Sequence, residues 1–301
     1  MCQLPDVYDF AGIHNIHYSR DETISAVRQF YTFLSKMYMD ESDILEPPEG
    51  GWPHMDNLRC MGKTDEVIEL LRRLPYLCPK GPEGKVGLWP SVAPRSDVIN
   101  WSELAPKAMP CSSSSRRFDG WNGNNLRHIS EPMELMNEDR IPPDVIGLVY
   151  SAGRYRKNFL LDTARGIIHW YECWGEIQIL SAYYTPPPTR LDFPEEWAPE
   201  NEVEWRSEYP AWSVTDFFAI IRRQFEDLNF VPLGPHNVQE VFTMADDNRA
   251  VIKAVQDIYR QHGWPDLATY RKEDCLRAVR KAMREDFPES IRCGQEGDYV
   301  D

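Results

Sequence analysis

The chain has 301 residues, 42% of them hydrophobic and 12% aromatic, enough apolar material for a sizeable core and, by length, about two domains. Its 33 basic against 48 acidic residues leave a formal charge of −15. That balance argues against a general nucleic-acid binder and against adhesion to an anionic membrane, because both need clustered Lys and Arg.

No basic start followed by an apolar run is visible near the N-terminus, and the longest strongly apolar stretch, Val145 to Tyr150, is far below the ~20 residues of a membrane span. The expectation is a cytoplasmic protein. Seven scattered cysteines with no C-x-x-C pair read as free thiols in a reducing compartment. There the sequon Asn100-Trp101-Ser102 would stay unmodified.

The first helix is predicted from about Glu22 to Tyr38, where Ile24, Val27, Tyr31, Leu34 and Tyr38 form one apolar stripe. Thr64 is a good N-cap for a second helix carrying Val67, Ile68, Leu71 and Leu74. From Cys78 to about Glu131 the pattern is poor, with clustered Pro and Gly and then four serines, Ser112 to Ser115, before Arg116-Arg117. It reads as long loop with a few short elements, and phosphate on those serines would sit beside two arginines.

Regular structure returns at Ile141. Val145–Tyr150 reads as a covered strand, and Asn158–Asp162 with Ile167–Glu172 as a hairpin around Thr163-Ala164-Arg165-Gly166. Strand alternation would set Ile168 and Trp170 on one face, with Ile167, His169 and Tyr171 on the other. A further strand is expected at Glu176–Leu180. Leu191–Tyr209 holds seven carboxylates against one arginine and reads as a solvated loop pinned by Trp197 and Trp205.

The last third reads as helical. Ser213 caps a helix through Leu228, with Phe217, Ile220, Ile221 and Phe225 inward and Asp216 placed for a capping box. Asn237 with Glu240 is expected to start another helix. Ala250–Gln261 and Arg271–Phe287 follow, the latter with Leu276, Val279 and Met283 on one face, and an acidic tail ends the chain. The fold class is α+β: a small, mostly antiparallel sheet packed by helices, with a helical C-terminal extension and long irregular loops.

The chemistry of the commonest enzymes is missing from the sequence. Gly81–Gly87 lacks the spacing of a P-loop and of G-x-G-x-x-G, and there is no G-x-S-x-G, H-E-x-x-H or kinase signature. No cofactor is therefore expected. His14 and His17 lack a further metal ligand nearby, and Asp246-Asp247-Asn248 fits a helix cap better than a magnesium motif. His169 and Asp162 are the residues that an acid–base reading would use, although no nucleophile is tied to them by motif. Trp52, Trp89, Trp101, Trp121, Trp197 and Trp205 fall in expected loops, where large aromatics serve interfaces or pin the loop.

One block carries a resemblance. Ile141-Pro142-Pro143-Asp144-Val145-Ile146-Gly147-Leu148 leads through Gly153-Arg154 to Asn158-Phe159-Leu160-Leu161-Asp162-Thr163. Gly166-Ile167-Ile168-His169-Trp170-Tyr171 follows, and later Trp212-Ser213-Val214-Thr215-Asp216-Phe217-Phe218. This order of glycine turn, aspartate–glycine hairpin and S-x-x-D-F-F helix resembles the SMI1/KNR4-like (SUKH) domain, as carried by fungal proteins. The resemblance divides the chain into an N-terminal helical segment, 1–60, a SUKH-like domain, 61–230, with insertions at 78–131 and 186–209, and a C-terminal extension, 231–301. It implies a mostly non-catalytic interaction module and no catalytic residues to carry over.

Two functions follow. The first is a cytosolic, non-catalytic protein-interaction or regulatory module, whose acidic surface edged by aromatics suits a partner with a basic surface. The alternative is a cofactor-independent enzyme or small-molecule binder of specialised metabolism, with a pocket lined by Trp170, Tyr171 or Trp174. The binding residues expected across the two are Trp170, Tyr171, Trp174, Trp197 and Trp205.

Overall fold

The computed structural model describes residues 16–78, 89–109, 121–137, 140–151, 157–191, 193–243 and 246–291. His14, Gly81–Gly87, Ser112–Arg117, the Gly153-Arg154 turn and the acidic tail lie outside the described residues.

Helix α1, Arg20–Met37, starts where the Ser19 hydroxyl accepts the Glu22 N–H, and it buries Ile24, Val27, Tyr31 and Leu34 as the stripe predicts. Strand β1, Ile44–Leu45, and a 3-10 stretch, Met55–Met61, lead to α2, Asp65–Arg73, capped by Thr64 as expected. Strand β2, Tyr76–Leu77, then pairs antiparallel with β1. The poorly patterned stretch holds β3, Ser91–Ala93, β4, Ser96–Val98, α3, Trp101–Leu104, and α4, Gly123–Ser130. Helix α5, Met133–Asn137, precedes the main sheet.

That sheet contains β5, Val145–Gly147, β7, Phe159–Asp162, β8, Ile167–Trp170, β9, Arg190–Leu191, and β10, Ala211–Ser213; β6, Val149–Tyr150, instead joins β3 and β4. Its order is β5-β7-β8-β10-β9, antiparallel throughout. The predicted hairpin is its centre. Asp162 Oδ1 accepts the N–H groups of Ala164 and Arg165 at 2.9 and 3.0 Å, closing the turn. Gly166 completes it at φ +73°, where a Cβ would also lie 2.8 Å from the backbone of His17 and Tyr18.

Between β8 and β10 run α6, Gly175–Ser181, and α7, Glu200–Glu208. After β10 come α8, Val214–Glu226, the antiparallel pair β11, Phe230–Gly234, and β12, Asn237–Glu240, then α9, Asp246–Gln261, and α10, Lys272–Glu285. The architecture is α+β, with small antiparallel sheets packed among helices. Among the described residues no helix is long and apolar enough to cross a membrane.

Helix α8 packs across the hairpin as its sequence predicts. Phe217 is fully buried, with its ring 4.9 Å from Phe159 and 5.5 Å from Trp170 between centroids. The capping box forms differently from the expected pattern. The Asp216 carboxylate accepts the Ser213 hydroxyl and the Thr189 N–H, while the Ser213 N–H goes to the Thr189 carbonyl. One apolar cluster runs from α1 through α8 and β11 to α9 and α10, so the N-terminal helix and the C-terminal helices share a core with the sheet. The Tyr270 hydroxyl and the Lys272 amine also donate to the carbonyls of Met37 and Met39, both at 2.7 Å.

Four segments depart from expectation. Glu176–Leu180 is helical, not a strand: Ile177 and Ser181, one turn apart, face inward, whereas Ile179 and Leu180 are exposed. Asn237–Glu240 is strand β12, not a helix start, because pairing with Phe230–Gly234 and burial of Val238 outweigh a local cap signature. Leu191–Tyr209 is not a solvated loop. It forms a 3-10 turn, Pro194–Glu196, and α7, which buries Glu202, Trp205 and Arg206. The aspartates Asp246 and Asp247 lie inside the first turn of α9 and do not precede it.

Candidate functional site

Strand alternation sends Ile146, Phe159, Leu161, Ile168, Trp170 and Trp212 into the main core. The outer face of the sheet carries Val145, Leu160 and Tyr171, covered by Trp205, with Leu135 and Ile141 at its margin. Asp162 and His169 share this outer face, opposite Ile167 and Leu160 in the register. Both are buried, Asp162 at 0% and His169 at 1% exposure.

Arg206, on the inner side of α7, joins them. Its Nη2 donates to Asp162 Oδ2 at 2.8 Å, its Nε to Glu202 Oε2 at 2.8 Å, and its Nη1 lies 2.8 Å from His169 Nε2. Arg165 from the hairpin turn adds a bond to Asp162 Oδ2 at 3.0 Å. The cluster thus pairs two guanidinium groups with two carboxylates. Trp205 and Trp197 stack on the Arg206 guanidinium, with ring centroids 4.4 and 5.3 Å from its central carbon.

The chemistry of arginine fixes the state of His169. A guanidinium only donates, so Nε2 must accept and the ring proton must sit on Nδ1. Burial, and then the Arg206 charge, push the imidazole well below its usual range, which keeps it neutral. The Tyr209 backbone hydrogen-bonds the imidazole, whereas Trp205 Nε1 is buried without a partner. Such a donor costs roughly 1–3 kcal/mol in the closed arrangement.

This geometry bears on the acid–base pair expected from the sequence. The lone pair of His169 Nε2 is taken by Arg206, and Asp162 is committed to two arginines and two turn amides. The arrangement ties α7 to the hairpin and presents neither residue to a substrate. Sequence reasoning passed over Glu202, Arg206 and Arg165. The available signal was the Glu202–Arg206 spacing of four, with Trp205 beside it, and a single arginine among seven carboxylates.

The expected aromatic anchors serve packing. Trp170 is 0% exposed and lies edge-on to Phe159, Phe217 and Phe230; Trp174 packs on Phe230 and Phe242. At Trp170 the inner sheet face is filled by these rings. Tyr171 is buried against Tyr209, with centroids 4.2 Å apart. Of the tryptophans expected in loops, Trp101 and Trp205 are instead buried helical residues, while Trp52, Trp89, Trp121 and Trp197 are half-buried.

Lys157 lies over the Trp174 ring, 4.1 Å from its centroid, and donates to the Glu172 carbonyl. Burial lowers the pKa of its amine. Asn100 is fully buried and holds the Ser102 amide and hydroxyl, so the sequon is closed by the fold itself. A cleft of about 400 Å³ opens between the N-termini of α1 and α8, lined by Ser19, Thr23, Thr189, Ser213 and Thr215 with His17 and Glu22. Among the described residues no group of three His, Cys, Asp or Glu side chains is placed to hold a metal ion. Comparisons of the chain with protein-family models, with curated proteins and with solved structures find no match.

Proposed function

We propose that the chain is an SMI1/KNR4-like, non-catalytic protein-interaction or regulatory module of the cytoplasm, and that it engages a partner with a basic surface through the outward face of α7. One observation carries this reading: the only arginine of the acidic segment is turned inward. Arg206 is spent on Asp162 and Glu202, so the outward positions Glu200, Glu204 and Glu208, with Glu195 and Glu196 before them, carry carboxylates alone.

A neighbouring cation, Arg140, reaches this face and pairs with Glu204 at 2.8 Å. The exposed aromatic beside the acidic residues is Phe193, 47% accessible, in place of the tryptophans expected from the sequence. Clustered carboxylates on one helix face accelerate encounter with a cationic surface, and an aromatic at the rim supplies contact area. The family resemblance agrees in kind, since the hairpin and the S-x-x-D-F-F helix that carry it pack together.

The test is affinity capture from a native lysate with the full chain as bait, against a Glu195/Glu200/Glu208→Gln variant. The wild type should retain a basic partner that elutes as salt rises, and the variant should lose it. Capture of no salt-sensitive partner, or equal retention by the variant, would overturn the reading.

A further inference from the structure

The attachment of α7 differs from that of α8 on the other face of the hairpin. The inward side of α7 consists of Glu202, Trp205 and Arg206, so two of its three buried residues are charged. The apolar patch that it covers, with Val145, Leu160 and Tyr171, is a small cluster separate from the main core. Pro199 and Pro210 bracket the helix, and its ends rest on a turn and on the Tyr171–Tyr209 ring contact.

The closed arrangement also leaves a polar group short of a partner. Trp205 Nε1, beside the tie, is buried without a hydrogen bond, and water would satisfy it once α7 lifted. A buried ion pair stabilises little beyond the desolvation it requires, so one guanidinium is a weak fastening for a whole helix. Burial of the α8 side chains Phe217, Ile220, Ile221 and Phe225 carries no such offset.

From these observations we infer that α7 is a strap: it opens as a unit about Pro199 and Pro210 while the rest of the fold stays intact, uncovers the outer sheet face at Leu160, His169 and Tyr171, and is held shut by the Arg206 fork. The inference is independent of what binds the outward side of α7. It gives the fold two states, a closed one with a covered outer face and an open one that offers an apolar strip flanked by Asp162 and Arg165.

Native-state hydrogen exchange on the full chain tests this directly. Amides of 200–208 should exchange through an opening with little denaturant dependence, whereas amides of 217–225 should follow global unfolding. Arg206→Met should speed exchange across 200–208 by about tenfold or more and leave 217–225 within a factor of about two. Should that variant fail to fold, Glu202→Gln, which weakens the fork without removing it, reads the same contrast. Native-state trypsin supplies a second readout, because the Arg206 side chain is fully buried when α7 is closed. Cleavage after Arg206 should proceed at a rate insensitive to substitutions that lower global stability alone. Shared denaturant dependence of the two helices in the wild type, or equal acceleration of both in the variant, would overturn the strap.

Discussion

The hairpin β7–β8 is buried on both faces, and the two burials rest on different physics. Inside, Phe159 and Trp170 meet Phe217 and Phe230 as edge-on rings, and apolar contact of this kind needs no particular partner atom. Outside, Asp162 and His169 meet Glu202 and Arg206, and each of these groups depends on the others to offset its removal from water. The inner face therefore fixes the fold, and the outer face fixes one helix. The same four-residue strands serve both because alternation hands each face its own set of side chains.

The largest expected effect breaks the inner face. Phe217→Ala removes a fully buried ring at the centre of the aromatic group and should cost about 3–5 kcal/mol. That is a large share of the ~5–15 kcal/mol typical of a domain. Circular-dichroism melting should show the whole protein unfolding earlier. An unchanged melting temperature would remove the distinction between the faces.

On the outer face, Asp162→Asn keeps an oxygen for the turn amides but removes the charge opposite Arg206 and Arg165. Closure of α7 should weaken by about 1.5–3 kcal/mol, the range for hydrogen bonds to charged groups. Faster amide exchange at 200–208 reads this loss, with α8 as the internal control.

Acid should act on the same face. His169 is depressed in the folded protein, so the native state releases its proton before the unfolded one does. Its contribution is fully present above an unfolded value of about 6.5, and it falls by up to about 1.4 kcal/mol per pH unit as pH drops from there towards the depressed native value. His169→Gln, which offers a neutral acceptor to Arg206, should flatten that part of the stability–pH curve. Parallel curves for the two proteins, measured by urea titration between pH 5 and pH 7 or about that window, would show that the imidazole does not sense the cluster.

The smallest effect sharpens the inner face at its start. The Ser213 hydroxyl accepts the Asp216 N–H at 3.2 Å, so Ser213→Ala should cost about 1 kcal/mol in denaturant titration. A loss near zero would show that the Thr189 contact to Asp216 carries the cap alone.

Legibility in the sequence followed locality. The stripe of α1, the Thr64 and Ser213 caps, the hairpin and its alternation are written in neighbouring residues, and each is found in the structure. Asn237–Glu240 misled because its cap signature gives way to pairing with the strand just before it, and Glu176–Leu180 because a short apolar run fits a strand and a helix alike. The binding aromatics were misplaced for a related reason. Sequence position sets Trp205 in an acidic stretch, but only the helix turns it, with Arg206, onto the sheet.

What the sequence determined by itself was the α+β class, the central hairpin and the apolar helices that must cover it, because hydrophobic periodicity and caps act over a few residues. What only the tertiary structure decided was the outer face. Asp162, His169, Glu202 and Arg206 come from a strand pair and from a helix some 40 positions later, with Asp162 and Arg206 44 positions apart. A charge can be buried only where its counter-charge is delivered to within hydrogen-bond reach, and no local pattern specifies that meeting.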